Sequence, residues 1–198
     1  MEEKILNSSS DRYRCTGIRL LRRDFLKLGA VATGILFNPL SAMAAFNSRS
    51  NPFKNLAFYN THTHERLHVC YCRNGKYDFK ALSKINHILR DHRSGEVRAI
   101  DIQLLELLHD LSFKTSSQSP FHVISGYRSP ATNKKLNKKS AGVASKSLHM
   151  QGKAIDIRIP GIKTRKLRNV ARQMKAGGVG YYSKSDFVHV DTGRVRYW

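Results

Sequence analysis

The 198-residue sequence is short of cysteine, short of acidic residues, and without a long apolar run. Its three cysteines leave only Cys70 and Cys72 in the body of the chain. In a strand, positions i and i+2 share a face about 6.6 Å apart, the upper end of what a disulfide tolerates. The pair reads as unpaired, which excludes a disulfide-stapled scaffold. The uncharged stretch Leu28–Leu40 is 13 residues long, whereas a membrane-spanning helix takes about 20. No integral span is expected once this stretch is processed. Acids number 14 against 35 Lys and Arg, a net charge of +21. No internal repeat and no low-complexity segment is seen, so repeat arrays are excluded as well.

The charged flank Leu21-Arg22-Arg23-Asp24-Phe25-Leu26-Lys27, the short apolar run and Ala42-Met43-Ala44 follow one another. A charged n-region, a short h-region and a small-x-small site make a removable export signal, cut after Ala44. A buried helix opening the domain is the rival reading. It is disfavoured because the run is apolar all round and holds two glycines and a proline. The arginine pair with Phe-Leu-Lys resembles the twin-arginine signal, with Leu21 where Ser or Thr is usual. The expected organisation is a signal peptide at 1–44, a polar leader at 45–54 and one domain at 55–198, delivered to the periplasm. The chain from residue 45 onward has 28 basic and 10 acidic residues, a net +18. So basic a surface commonly means nucleic acid or an anionic membrane. Export removes nucleic acid from the candidates and favours wall peptides with their free carboxylates.

Two extended runs, Asn55–Asn60 and Arg66–Cys72, read as a hairpin, with Asn74-Gly75 as a turn. Helical spacing appears over 80–92 and 99–112. A strand at Phe121–Ile124 leads to Ser129-Pro130, an N-cap followed by proline at N1, which opens a basic helix to about Lys139. Ala154–Ile159 is a strand, Thr164 caps a further helix, and Val179–Tyr182 and Phe187–Val190 close the chain. The fold class is α+β, with a small antiparallel sheet and flanking helices.

The chemistry concentrates at Ser147–Asp156. Ile155, Ile157 and Ile159 must face the core, so period two puts Asp156 and Arg158 on the other face. A mid-strand carboxylate between isoleucines is costly without a partner. Gly152 allows a tight turn that folds His149 back beside it. His189 likewise interrupts Val188 and Val190. Two imidazoles and a carboxylate make a three-ligand metal site with an open position, the arrangement of catalytic zinc.

Ser147, His149, Gly152, Ala154 and Asp156 together form S-x-H-x-x-G-x-A-x-D. With an acid three residues before a later histidine, and with Ser125–Ser129 upstream, this pattern resembles the zinc D-Ala-D-Ala peptidases. Their fold is the hedgehog/DD-peptidase fold, and they include the VanX-type dipeptidases. The stretch from about residue 52 to 198 is similar to the MepK-type murein endopeptidases in that group. The resemblance implies Zn²⁺ held by His149, Asp156 and His189, with Asp186 as general base. It also implies Arg128 as a substrate-binding arginine, suited to a carboxylate by its bidentate fork. Ser147 is expected as a supporting hydrogen-bonding group near substrate. Residues three apart on a regular strand face opposite ways, so Asp186 must sit in a turn. Asp191 shares the face of His189 and stays the rival for base or ligand-orienting partner. The implied activity is hydrolysis of amides in peptidoglycan stem peptides or cross-links. A non-catalytic, zinc-stabilised wall-binding module is the alternative, and the oligomeric state is left open. His62 and His64 read as turn residues.

Overall fold

The computed structural model describes residues 52–139 and 142–198. The expected signal and most of the leader lie outside the described residues. The first hairpin is present as β1 (Phe53–Asn60) and β2 (Arg66–Arg73), paired antiparallel. Asn74, at φ +49°, and Gly75, at φ +76°, then turn the chain into a two-residue strand, β3 (Lys76–Tyr77). Cys70 and Cys72 are free thiols, in line with the unpaired reading of their strand spacing.

Helix α1 (Phe79–Ile88) starts on Asp78, whose carboxylate accepts from the N–H groups of Lys80 and Ala81. Helix α2 (Ile102–Thr115) starts in the same way on Asp101. These caps satisfy N–H groups that the first turn leaves without a partner. After β4 (Phe121–Ser125), Ser129 caps α3 (Pro130–Lys139) by accepting from Thr132 N–H at 3.2 Å. The chain then forms β5 (Ala154–Arg158), α4 (Thr164–Met174), β6 (Gly178–Tyr182), β7 (Phe187–Asp191) and β8 (Arg196–Tyr197). Thr164 is not the cap of α4. Lys163 holds that position, and the Thr164 hydroxyl donates to Asp186 instead.

The α+β class holds, but the sheet is neither small nor wholly antiparallel. Its eight strands run β3-β2-β1-β4-β5-β7-β6-β8, with β1–β4 and β6–β8 parallel. β1 and β4 are parallel because the chain returns through α1 and α2 between them, and β6 and β8 because β7, antiparallel to β6, lies between them in sequence. One core underlies the sheet. Ile155, Ile157 and Ile159, with Val188 and Val190, join it from the strands, and Ile85, Leu104, Leu108 and Leu167 from the helices. At about 25 cal/mol per Å² of buried apolar surface, this cluster supplies the main drive for folding. Because strand side chains alternate, the same strands send Asp156 and His189 to the opposite face.

Candidate active site

Strand register sets the first two groups opposite one another. Asp156 on β5 pairs directly with His189 on β7, and on its other side with Ser125 of β4. Gly180 of β6 is the next partner of His189. Ser125, Asp156, His189 and Gly180 therefore form one row across four strands. Directly opposed Cβ atoms lie about 4.5–5.5 Å apart. A shift in the β4–β5 register between Val123 and Ser125 adjusts this row next to the site, where bulges are common.

The third group arrives on a turn. Leu148–Gln151 make one turn of 3₁₀ helix, capped by Ser147, whose Oγ accepts from His149 N–H at 3.3 Å. Gly152 ends the turn in the left-handed region at φ +67°. A Cβ at Gly152 would stand 2.4 Å from the Ala99 carbonyl oxygen, so backbone angle and crowding both demand glycine. His149 then donates from Nδ1 to Gly126 O at 2.8 Å. Its Nε2 faces His189 Nδ1 at 3.2 Å and Asp156 Oδ1 at 3.3 Å.

The other ends of the ligands are held as firmly. His189 donates from Nε2 to Asp191 Oδ2 at 2.9 Å, leaving Nδ1 turned to Asp156 Oδ1 at 2.9 Å. Asp191 is fully buried, and it also accepts from Arg196 and from the N–H groups of Gly178 and Gly193. These bonds fix which ring nitrogen of each histidine carries the proton. Three lone pairs, from His149 Nε2, His189 Nδ1 and Asp156 Oδ1, are thus turned on one point. The ligand atoms lie within 4.8 Å of one another, and all three residues are buried.

Converging lone pairs repel unless a cation sits among them, and two imidazoles with a carboxylate suit a borderline metal such as zinc. The titration behaviour carries the same demand. Burial alone pushes His189 down, but its hydrogen bonds to Asp156 and Asp191 outweigh this and raise its pKa to about 9. Burial pushes Asp156 up, and attraction to His149 with the hydrogen bonds from both histidines more than offsets it, holding the carboxylate well below its usual range. The donor set of two imidazoles and a carboxylate fits a divalent ion.

A cleft of about 510 Å³ opens above these residues. Arg128 lines it, largely buried, with Nη2 at 3.6 Å from Asp156 Oδ2 and 3.3 Å from Ser125 Oγ, and Nη1 at 3.3 Å from Asn133 Oδ1. Its Nε is buried with no hydrogen-bond partner. A buried guanidinium so sparsely satisfied is suited to receive an anion. Burial lowers its pKa, and Asp156 opposes that. Ser147 and Lys146 line the same cleft.

Asp186 lies outside the lining of the cleft. It occupies the left-handed turn before β7 at φ +50°, one of the few conformations in which Asp is favoured over most residues. Its carboxylate accepts from Thr164 Oγ1 at 2.9 Å and stands 3.7 Å from Arg158. Asp191 turns to the ring of His189, so it holds the ligand and has no lone pair directed at the cleft. His62 stacks on His92 with ring centroids 3.8 Å apart, and His64 pairs with Tyr59, so neither joins the metal group. Tyr182, Arg196 and Trp198 also line the cleft, and the strand-face reading does not single them out. The run Arg196-Tyr197-Trp198 carries no periodicity of its own.

Comparison with known proteins identifies the constellation. The family described as "Peptidoglycan L,D-endopeptidase MepK" matches residues 48–198. The chain belongs to this family. Peptidoglycan L,D-endopeptidase MepK of Escherichia coli (strain K12) is 41% identical over 177 residues, covering 89% of this chain and 96% of that protein. The probable peptidoglycan L,D-endopeptidase MepK of Haemophilus influenzae is 38% identical over 178 residues, covering 89% and 95%. Family membership makes the chain a peptidase of the murein endopeptidase kind, and His149, Asp156 and His189 form a group able to hold a metal ion.

Proposed function

We propose that this peptidoglycan endopeptidase holds zinc at His149, Asp156 and His189 and hydrolyses an L,D-amide of the stem-peptide cross-links. The observation that carries the reading is the convergence of three lone pairs at the floor of a cleft walled by Arg128. The L,D preference comes from the names of the relatives. When bound, zinc polarises a carbonyl and brings the pKa of water to about 7.

The chain's own groups do the positioning. Gly126 O and Asp191 hold the two imidazoles with their free nitrogens inward. Arg128, in the lining of the cleft, offers its guanidinium charge to a substrate carboxylate. Lys146 adds a second positive charge to the lining of the cleft, which suits a peptide rich in free carboxylates. Ser147 keeps the His149 turn in place from within the lining. The general-base role of Asp186 is supported by resemblance alone, since its carboxylate is engaged by Thr164 outside the cleft.

Residues 1–44 act as the export signal, of the twin-arginine type, and deliver the enzyme to the periplasm, where peptidoglycan lies. Among the described residues no helix is long and apolar enough to cross a membrane.

The reading is tested by digesting purified sacculi and separating the released muropeptides by chromatography. Zinc-loaded protein is expected to open cross-links between two diaminopimelates and to leave D-Ala–diaminopimelate cross-links intact. Cleavage of the second type alone would reject the L,D assignment, and no cleavage of either would reject the catalytic reading.

A further inference from the structure

Part of the lining of the cleft is aromatic, built from Tyr182, Phe187 and Trp198. Tyr182 and Phe187 are direct cross-strand partners on β6 and β7, and their rings stack at 4.5 Å with 17° between planes. The phenol oxygen of Tyr182 accepts the indole N–H of Trp198 at 3.0 Å. Two contacts thus fix one half-buried ring at both its face and its oxygen.

Trp198 is itself held from several sides. Its backbone N–H donates to Val179 O at 3.2 Å, and its carbonyl accepts from Tyr181 N–H at 2.9 Å. The guanidinium of Arg196 lies 5.0 Å from its ring centre. The indole sits on Gly180, where a Cβ would stand 2.6 Å from the ring. Since Gly180 is the strand partner of His189, this glycine lets the indole lie 5.3 Å from the imidazole of the ligand. The last residue of the chain is seated beside the metal group through its main chain, its ring and a neighbouring cation.

The hydrogen bond from Trp198 uses an acceptor lone pair of the phenol and leaves its O–H without an acceptor among the described residues. Receiving a hydrogen bond also polarises a hydroxyl and makes it the better donor. Tyr182 and Arg128 line the same cleft as His149, Asp156 and His189. A directed O–H and a guanidinium therefore flank the ligands. Amide hydrolysis puts negative charge on the former carbonyl oxygen, and fixed donors aimed at that oxygen stabilise the transition state more than the ground state.

We propose that Tyr182 is a catalytic residue whose O–H donates a hydrogen bond to the scissile carbonyl oxygen as charge develops, and that Trp198 is the positioning residue that aims it. The assignment rests on the endopeptidase reading above. Neither residue loses or gains a proton in this role.

The experiment measures kcat and KM on a purified diaminopimelate-cross-linked muropeptide, with zinc content determined for each protein. The set is wild type, Tyr182→Phe, Trp198→Phe and the double variant. Tyr182→Phe is expected to lower kcat by about 10²-fold, the usual scale for one such donor. Its KM and zinc content should stay within about threefold of wild type, because the lost donor acts only in the transition state. Trp198→Phe keeps a ring on Gly180 but removes the N–H, and should lower kcat about tenfold. In the Tyr182→Phe background it should cost nothing further, since it acts through the hydroxyl. A Tyr182→Phe protein with wild-type kcat overturns the proposal, as does one in which only KM rises. A full additional loss in the double variant overturns the positioning role of Trp198. Wild type that fails to cleave at all would sink the endopeptidase reading rather than this one.

Discussion

Nε2 of His189 lies 2.9 Å from Oδ2 of Asp191, and the two residues are neighbours on one face of β7. Asp191 in turn is held by Arg196 at 2.7 and 3.1 Å and by two backbone N–H groups. The ligand is therefore aimed by a buried carboxylate that is itself aimed by the C-terminal segment. Replacing Asp191 with Asn keeps the shape but removes the charge that fixes the imidazole. Metal affinity should fall by about 10–100-fold, the usual effect of losing such a partner. Competition with a chromophoric chelator measures this, and unchanged affinity would speak against the relay.

Asp186→Asn separates turn geometry from catalysis. Asn tolerates the left-handed backbone as well as Asp does, and its side-chain oxygen can still accept from Thr164. Resemblance gives Asp186 the general-base role, so activity on sacculi is expected to fall by about 10²-fold or more. Activity within about threefold of wild type would reject that role.

The metal-free protein should lose stability as pH rises. Its His189 has a pKa of about 9, against about 6.5 in an unfolded chain. A raised folded-state pKa stabilises the protein fully below the unfolded value, and the contribution disappears as pH climbs through the folded one. The Tm of the chelator-treated protein is thus expected to fall between about pH 6.5 and pH 9. Bound metal replaces the proton, so the loaded protein should not show this fall. Thermal melts with and without chelator decide it, and a flat metal-free profile would count against the geometry of the cluster.

Gly126 offers a test of the scaffold behind His149. A Cβ there would stand 2.4 Å from the carbonyl oxygen of Leu89, a backbone atom with little freedom to retreat. The same residue supplies the acceptor for His149 Nδ1. Gly126→Ala should cost about 1–3 kcal/mol of stability, as overpacking commonly does, and should weaken metal binding as well. Denaturant unfolding and metal titration read the two effects. Undiminished metal affinity would show that the Gly126 carbonyl does not orient the ligand.

Much of the metal site is legible in the sequence because it is written in strand alternation. Asp156 and His189 interrupt ladders of Ile and Val, and a residue that breaks such a ladder must face away from the core. The Ser129-Pro130 start of α3 is legible for a similar local reason, as a cap followed by a proline. The mixed order of the sheet is not legible. β8 is two residues long, and the parallel pairing of β1 with β4 joins segments about 60 residues apart. Nor is the direction of the Asp186 carboxylate, which depends on a positive φ and on a threonine 22 residues upstream. The aromatic wall escaped notice because a C-terminal Trp gains meaning only once Gly180 is seen beneath it.

The central claim is that His149, Asp156 and His189 hold a catalytic metal, and zinc content measured beside muropeptide release tests it most directly. Wild type is expected to carry about one zinc per chain, the stoichiometry of a single three-ligand site, and to release muropeptides from sacculi, whereas His149→Ala should lose both while remaining folded. A His149→Ala protein that keeps its zinc and its activity would contradict the account.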